Sequence, residues 1–166
     1  MIKSDVYLSL GSNLGNRQEM LSQAVRLLTE RIGEQKGLSA FYETEPWGFH
    51  SSHPFLNAVL ILSTKQSVED VFRHTRSIER ELGRTTKSVG GEYNDRSIDI
   101  DILMYGDMVA ELDFLFDGET TKAHLSLPHP LMCERLFVIQ PLAQIAPDVC
   151  HPILHQPYRE ILKTLI

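Results

Sequence analysis

Asp99 and Asp101 stand two residues apart in RSIDIDILMY (96–105), a stretch in which isoleucines alternate with carboxylates. In a β-strand that alternation sends Ile98, Ile100 and Ile102 to one face and Asp99, Asp101 and Leu103 to the other. Carboxylates at i and i+2 on one strand face lie about 6.5 to 7 Å apart along the backbone, close enough to converge on shared hard cations. Two aspartates in a strand can also be no more than the solvated side of a half-exposed sheet. Here, however, Arg96 lies just upstream, and Arg84 and Lys87 belong to the glycine-bearing loop before it, so charges of both signs collect at one end of the strand. Carboxylates that hold Mg2+ and arginines that hold phosphate oxygens are the recurring parts of phosphoryl transfer. Lys87 itself reads more simply as a solvated loop lysine.

Other residues supply a recognition surface. Phe55 and Asn57 share one strand face and offer a stacking ring beside an amide that donates and accepts, which suits a flat heteroaromatic ligand. LPHPLMCERLFV (127–138) sets His129 between prolines, with Arg135 and Phe137 beyond it; such a histidine can contact an anion, carry a proton or simply bond to backbone. GSNLGN lacks the GK[ST] of a P-loop and reads as a strand-to-helix turn. His50 and His53 have HxxH spacing without a third ligand in view, a poor zinc site.

The elements that must position these groups follow from periodicity. Val6, Leu8 and Leu10 predict a first strand entering a turn at Gly11. Asn16 and Glu19 then open a helix with Leu21, Ala24, Val25, Leu28 and Ile32 on one stripe and Gly33 as its C-terminal cap. Strands follow at 38–44 and 55–64. Ser67 caps a second helix, with Val68, Val71, Phe72, Thr75, Ile78 and Leu82 inward, that ends at Gly83; the fourth strand is 98–105. The order βαββαβ predicts an α+β, ferredoxin-like fold: an antiparallel sheet with helices on one face, and the opposite face carrying Phe55, Asn57, Asp99 and Asp101. A C-terminal extension contains a hairpin or loop at 106–127, a helical turn around PLAQIAP and a short helix after Pro157.

The chain has 166 residues, 42% hydrophobic and 23% charged, which predicts one folded domain over 1–166. A formal charge of −6 argues against nucleic acid as a partner. No apolar run suits a signal peptide or a bilayer span, so the expected location is the cytoplasm, with no membrane partner. Cys133 and Cys150 have no metal-like spacing and read as buried, inert thiols.

Taken in order from about residue 5 to about residue 148, LGSNLGNR, FYETEPWG, FLNAV, ELGR, RSIDIDIL and LPHPLMCERLFVIQPLAQIAP resemble the 6-hydroxymethyl-7,8-dihydropterin pyrophosphokinases of folate biosynthesis, a ferredoxin-like family. The resemblance implies transfer of a pyrophosphoryl group from MgATP to the pterin hydroxymethyl oxygen, leaving AMP. Asp99 and Asp101 match the pair that holds two Mg2+ ions. Arg84 and Arg96 match arginines that steady the transferring phosphates, and His129 and Arg135 match contacts to the nucleotide's phosphates. Phe55 and Phe137 match the aromatic pair around the pterin, Asn57 and the Thr44 region match its edge contacts, Trp47 falls beside the pterin loop, and Glu79 matches a recurrent acidic position. Leu131 stands where the family often has arginine, and segment 111–126 is not a close match. The loops 44–54 and 84–96 are expected to close over ATP.

The expected partners are therefore ATP and the pterin, bound by a stand-alone monomer. The rivals are another two-metal phosphotransferase or nucleotide hydrolase, and a non-catalytic ferredoxin-like binding module.

Overall fold

The alternation of Val6, Leu8 and Leu10 with Tyr7 and Ser9 builds a central strand, β1 (Ser4–Ser12), which runs on through Gly11. The computed structural model describes residues 2–44, 54–83 and 97–166. α1 (Arg17–Arg31) starts at Asn16, whose side chain accepts from the Glu19 amide. β2 (Glu34–Leu38) and β3 (Tyr42–Thr44) both pair with β4 (Phe55–Thr64). α2 (Val68–Gly83) is capped by Ser67, and β5 (Asp99–Tyr105) returns beside β1. The sheet order is β2-β4-β1-β5, antiparallel throughout, with β3 continuing the β2 side of β4. A hairpin of β6 (Ala110–Phe114) and β7 (Ala123–Leu127), a 3-10 turn (Met132–Glu134), α3 (Leu136–Ile145) and α4 (Tyr158–Lys163) complete it.

The first sheet face is apolar as expected. Val6, Leu8, Leu10, Ala58, Leu60, Leu62, Ile98, Ile100 and Ile102 meet Leu21, Ala24 and Leu28 of α1 and Val71, Ile78 and Leu82 of α2. Burying each such aliphatic side chain contributes roughly 1.5–3 kcal/mol to the stability of the fold.

Three local expectations about the elements differ. The single strand read at 38–44 is instead two, β2 lying mostly before it at Glu34–Leu38 and β3 at its end, Tyr42–Thr44; between them Ser39 Oγ accepts from the Val59 amide at 2.9 Å. Gly33 is not a left-handed helix cap; α1 ends at Arg31 with Ile32 as its cap, and a Cβ at residue 33 would lie 2.0 Å from the Ser63 carbonyl oxygen. Glycine is needed there for close approach. The helix-end carbonyls of Ile32 and Arg31 instead receive Thr64 Oγ1 at 2.7 Å and Gln66 Nε2 at 2.6 Å. The turn around PLAQIAP is the second half of a ten-residue helix that passes through Pro141. A mid-helix proline costs about 3 kcal/mol, and complete burial of Ile139 and Leu142 with near-complete burial of Val138 offsets it.

The cysteines differ as well. Cys133 is half-buried, its thiol pushed up to about 11 by burial first and then by Glu134, whereas Cys150 is exposed.

The C-terminal extension covers only part of the second sheet face. Tyr7, Val59, Ile61, Leu103 and Met104 are covered by Val138, Ile139 and Leu142 of α3 and by Tyr158 and Ile161 of α4. The extension thus forms a third layer over part of the face and leaves the end bearing Phe55, Gly11 and Asp99 uncovered by it. Among the described residues no helix is long and apolar enough to cross a membrane.

Candidate active site

Strand register brings the sequence-selected residues into rows. Gly11 of β1 pairs with Asn57 on one side and Asp99 on the other, and Asn57 pairs in turn with Tyr42 of β3. One row across four strands therefore reads Tyr42, Asn57, Gly11, Asp99. The neighbouring row reads Val59, Ser9, Asp101, and Phe55 pairs with Thr44 on the other side.

Gly11 is the residue that the sequence reading missed, having been assigned to a turn. A Cβ there would come 3.1 Å from Asn57 Oδ1 and 3.4 Å from Phe55 Cδ1. Its bare backbone lets the ring and the amide lie over β1, in the gap between Asn57 and Asp99. The signal was available: glycine inside an alternating strand marks a close approach.

Asn57 is 3% exposed, and its Nδ2 donates to Thr44 Oγ1 at 2.6 Å. That bond fixes the amide plane, leaving its carbonyl oxygen beside Gly11. Tyr42 is held through its hydroxyl, which donates to Gln144 Oε1 of α3 at 2.7 Å.

Asp99 and Asp101 are both partly exposed and separated by Ile100, which enters the core. Among the described residues β5 is the edge of the sheet, and the amide of Ile100 donates to Glu79 Oε2 of α2 at 2.9 Å. Arg135 Nη1 lies 3.8 Å from Asp101 Oδ2, and its guanidinium carbon sits 5.6 Å from the centre of the Phe137 ring. The Arg135 side chain is only 15% exposed against 36% for Asp101, so this is a sheltered cation beside a wetter carboxylate. Phe137 packs at the border of the second-face core.

His129 is anchored by its amide, which donates to the Leu103 carbonyl at 2.8 Å, and the Leu131 amide donates to its Nδ1 at 3.2 Å. Burial, then the positive charge of Arg135, push its pKa down to about 4 against the opposing pull of Asp99. The ring is thus neutral near pH 7, and with Nδ1 acting as acceptor its proton sits on Nε2. A neutral N–H of this kind can donate to a phosphate oxygen.

The segment 111–126 forms the β6–β7 hairpin. Its inner side packs on α2 through Phe72, Phe114 and Phe116, with ring centres 5.6 to 6.0 Å apart. Its outer side carries His124 between Asp113 at 2.7 Å and Glu111 at 2.5 Å. The structure therefore gathers Thr44, Phe55, Asn57, Asp99, Asp101, His129, Arg135 and Phe137 on or beside the second sheet face. Arg84, Arg96, Trp47, Lys87, Tyr93, His50 and His53 lie outside the described residues, as do most of the two loops expected to close. Among the described residues no group of three or more His, Cys, Asp or Glu side chains could by itself hold a metal ion. Two partly exposed carboxylates nonetheless suit Mg2+, which commonly takes one or two protein carboxylates and completes its shell with water and phosphate oxygens.

With this geometry in hand, residues 7–147 match the 7,8-dihydro-6-hydroxymethylpterin-pyrophosphokinase (HPPK) family. The chain belongs to that family. A 2-amino-4-hydroxy-6-hydroxymethyldihydropteridine pyrophosphokinase of Porphyromonas gingivalis is 51% identical over 147 residues, covering 89% of this chain and 93% of that protein. The Aquifex aeolicus protein of the same description is 37% identical, covering 93% of this chain and 88% of its own length. Among solved structures, wild-type Plasmodium falciparum HPPK-DHPS superposes with a TM-score of 0.76 at 14% identity, covering 98% of this chain. The present chain spans 45% of that longer chain, and the likeness is one of fold. The HPPK match ends at Pro147, so α4 lies beyond the matched span.

Proposed function

We infer that the uncovered end of the second sheet face is a two-substrate site, with the pterin over Phe55 and Asn57 and the ATP phosphates over β5. The chain is a pyrophosphokinase: it transfers the terminal pyrophosphoryl group of ATP to the hydroxymethyl oxygen of 6-hydroxymethyl-7,8-dihydropterin, releasing AMP, in folate biosynthesis. ATP is the co-substrate.

One observation carries the assignment of parts. Asn57, Gly11 and Asp99 share a row across three adjacent strands, so the amide that can read a heteroaromatic edge lies two strand spacings, about 10 Å, from the first carboxylate. Acceptor and donor are side by side on a rigid floor, which is what an alignment-driven transfer requires.

The pterin edge would be read by Asn57, whose amide is already oriented by Thr44, while Phe55 and Phe137 supply ring faces. Asp99 and Asp101 would hold the two Mg2+ ions, which supply neutralisation of the triphosphate charge. His129 would donate from Nε2–H without adding a charge. Arg135, sheltered beside Asp101, would offer its guanidinium to the phosphates. The roles proposed for Arg84 and Arg96, steadying the transferred group, and for Trp47 beside the pterin, rest on the motif match alone. A primary alcohol is too weak an acid to ionise before attack, so catalysis rests on in-line positioning and charge stabilisation rather than on a strong base.

The reading extends to residues 1–166 acting as one pyrophosphokinase domain, a monomer in the cytoplasm with neither nucleic acid nor membrane as partner. A nucleotide hydrolase would need water, not a ring and an amide, at the acceptor position. An RNA-binding sheet would place carboxylates against a phosphate backbone, which they repel. The test is a product assay with MgATP. AMP and pterin diphosphate in equal amounts, formed only with the pterin present, support the reading; ADP or pterin-independent hydrolysis refutes it.

A further inference from the structure

Arg17 is the first residue of α1 and stands on the far side of the sheet from the proposed pterin surface, yet it is tied to both strands that form that surface. Its Nη2 donates to Glu43 Oε2 of β3 at 3.0 Å and its Nη1 to the Pro54 carbonyl at 2.9 Å. Glu43 precedes Thr44 and Pro54 precedes Phe55. The β3–β4 ladder ends at the pair Thr44 and Phe55. Among the described residues that is the last pair of the ladder, and Pro54, next in line, has no N–H to contribute a further bond.

We propose that Arg17 is a positioning residue for the pterin subsite: one guanidinium, bridging the ends of β3 and β4, holds Thr44 and Phe55 at the separation the ligand needs. This rests on the assignment of Phe55, Asn57 and Thr44 to the pterin. The geometry favours a positioning role over a general stabilising one. The Glu43 side chain is 58% exposed, and an ion pair this wet contributes little to folding. The Pro54 bond is the part-buried one, and it acts at the residue just before β4, where a strand end frays unless tied down. Phe55 in turn lies against Gly11, and Thr44 orients Asn57 at 2.6 Å. A shift at the strand end therefore reaches the ring and the amide together.

The planar fork of arginine addresses two acceptors at once, whereas a lysine point charge can satisfy one at a time. Arg17→Lys should therefore raise KM for the pterin about three- to tenfold, the effect of losing one ordinary hydrogen bond, with kcat at saturating pterin and KM for ATP unchanged. Glu43→Gln keeps the Pro54 bond and should shift the pterin KM less than Arg17→Lys does. Arg26→Lys, at the exposed Arg26–Glu30 pair of the same helix, should shift neither. Equal rises in both KM values, or a lowered Tm with the pterin KM intact, would overturn the positioning role. Asn57→Ala measured alongside separates the two claims: if it too leaves the pterin KM unchanged, the subsite assignment itself has failed.

Discussion

The Glu79 carboxylate accepts a hydrogen bond from the Ile100 amide at 2.9 Å, at the point on the edge of β5 between Asp99 and Asp101. An edge strand offers half its amides to solvent and is free to bend there. By tying that amide to α2, Glu79 fixes the backbone from which both carboxylates project. Glu79→Gln keeps an acceptor and should retain most activity, while Glu79→Ala should lose about 1 kcal/mol of stability and lower kcat more than KM for either substrate. Denaturant unfolding and steady-state kinetics on the two variants check this.

Gly11 is predicted to matter for binding rather than folding. Its φ lies outside the left-handed region, so alanine is tolerated by the backbone, but the new methyl meets Asn57 Oδ1 at 3.1 Å and the Phe55 ring at 3.4 Å. Gly11→Ala should raise the dissociation constant for the pterin about tenfold, of the order of one displaced hydrogen bond, with the circular dichroism spectrum unchanged. Calorimetric titration with the pterin in the presence of a non-hydrolysable ATP analogue measures it.

His129 makes the fold sensitive to acid. The folded pKa is about 4, below the ordinary value of 6.5, so between those pH values the unfolded chain takes up a proton that the folded chain refuses. Stability from this group is therefore unaffected above pH 6.5, falls as pH drops towards 4, and levels off below. His151, lowered by burial and by His155, adds in the same direction. His129→Gln should lose less stability than the parent protein between pH 6.5 and 4, as read from urea midpoints in metal-free buffer.

How much of this was legible beforehand depends on range. The pattern IDIDI declares a two-faced strand because its period is that of the pleat, and the helix stripes declare the first core for the same reason. Asn57, Phe55 and the two aspartates could be placed on one face from alternation alone. What alternation does not carry is register between strands, and so the row that sets Asn57, Gly11 and Asp99 abreast was invisible, as was the role of Gly11. The Ser39 contact between β2 and β3, and α3 running through Pro141, depend on tertiary partners, Val59 in one case and the second-face core in the other. The cover that α3 and α4 place over half the second face followed from neither composition nor spacing, because it arises from the extension beyond the βαββαβ order.

The role of the paired carboxylates is tested most directly by replacing them singly, Asp99→Asn and Asp101→Asn, and measuring pterin-dependent AMP release with MgATP together with Tm. Neither side chain belongs to the core, so both variants should melt near the parent temperature while turnover falls by about a thousandfold or more, the scale of losing a transition-state charge contact. Turnover within a few-fold of the parent in both variants would contradict it.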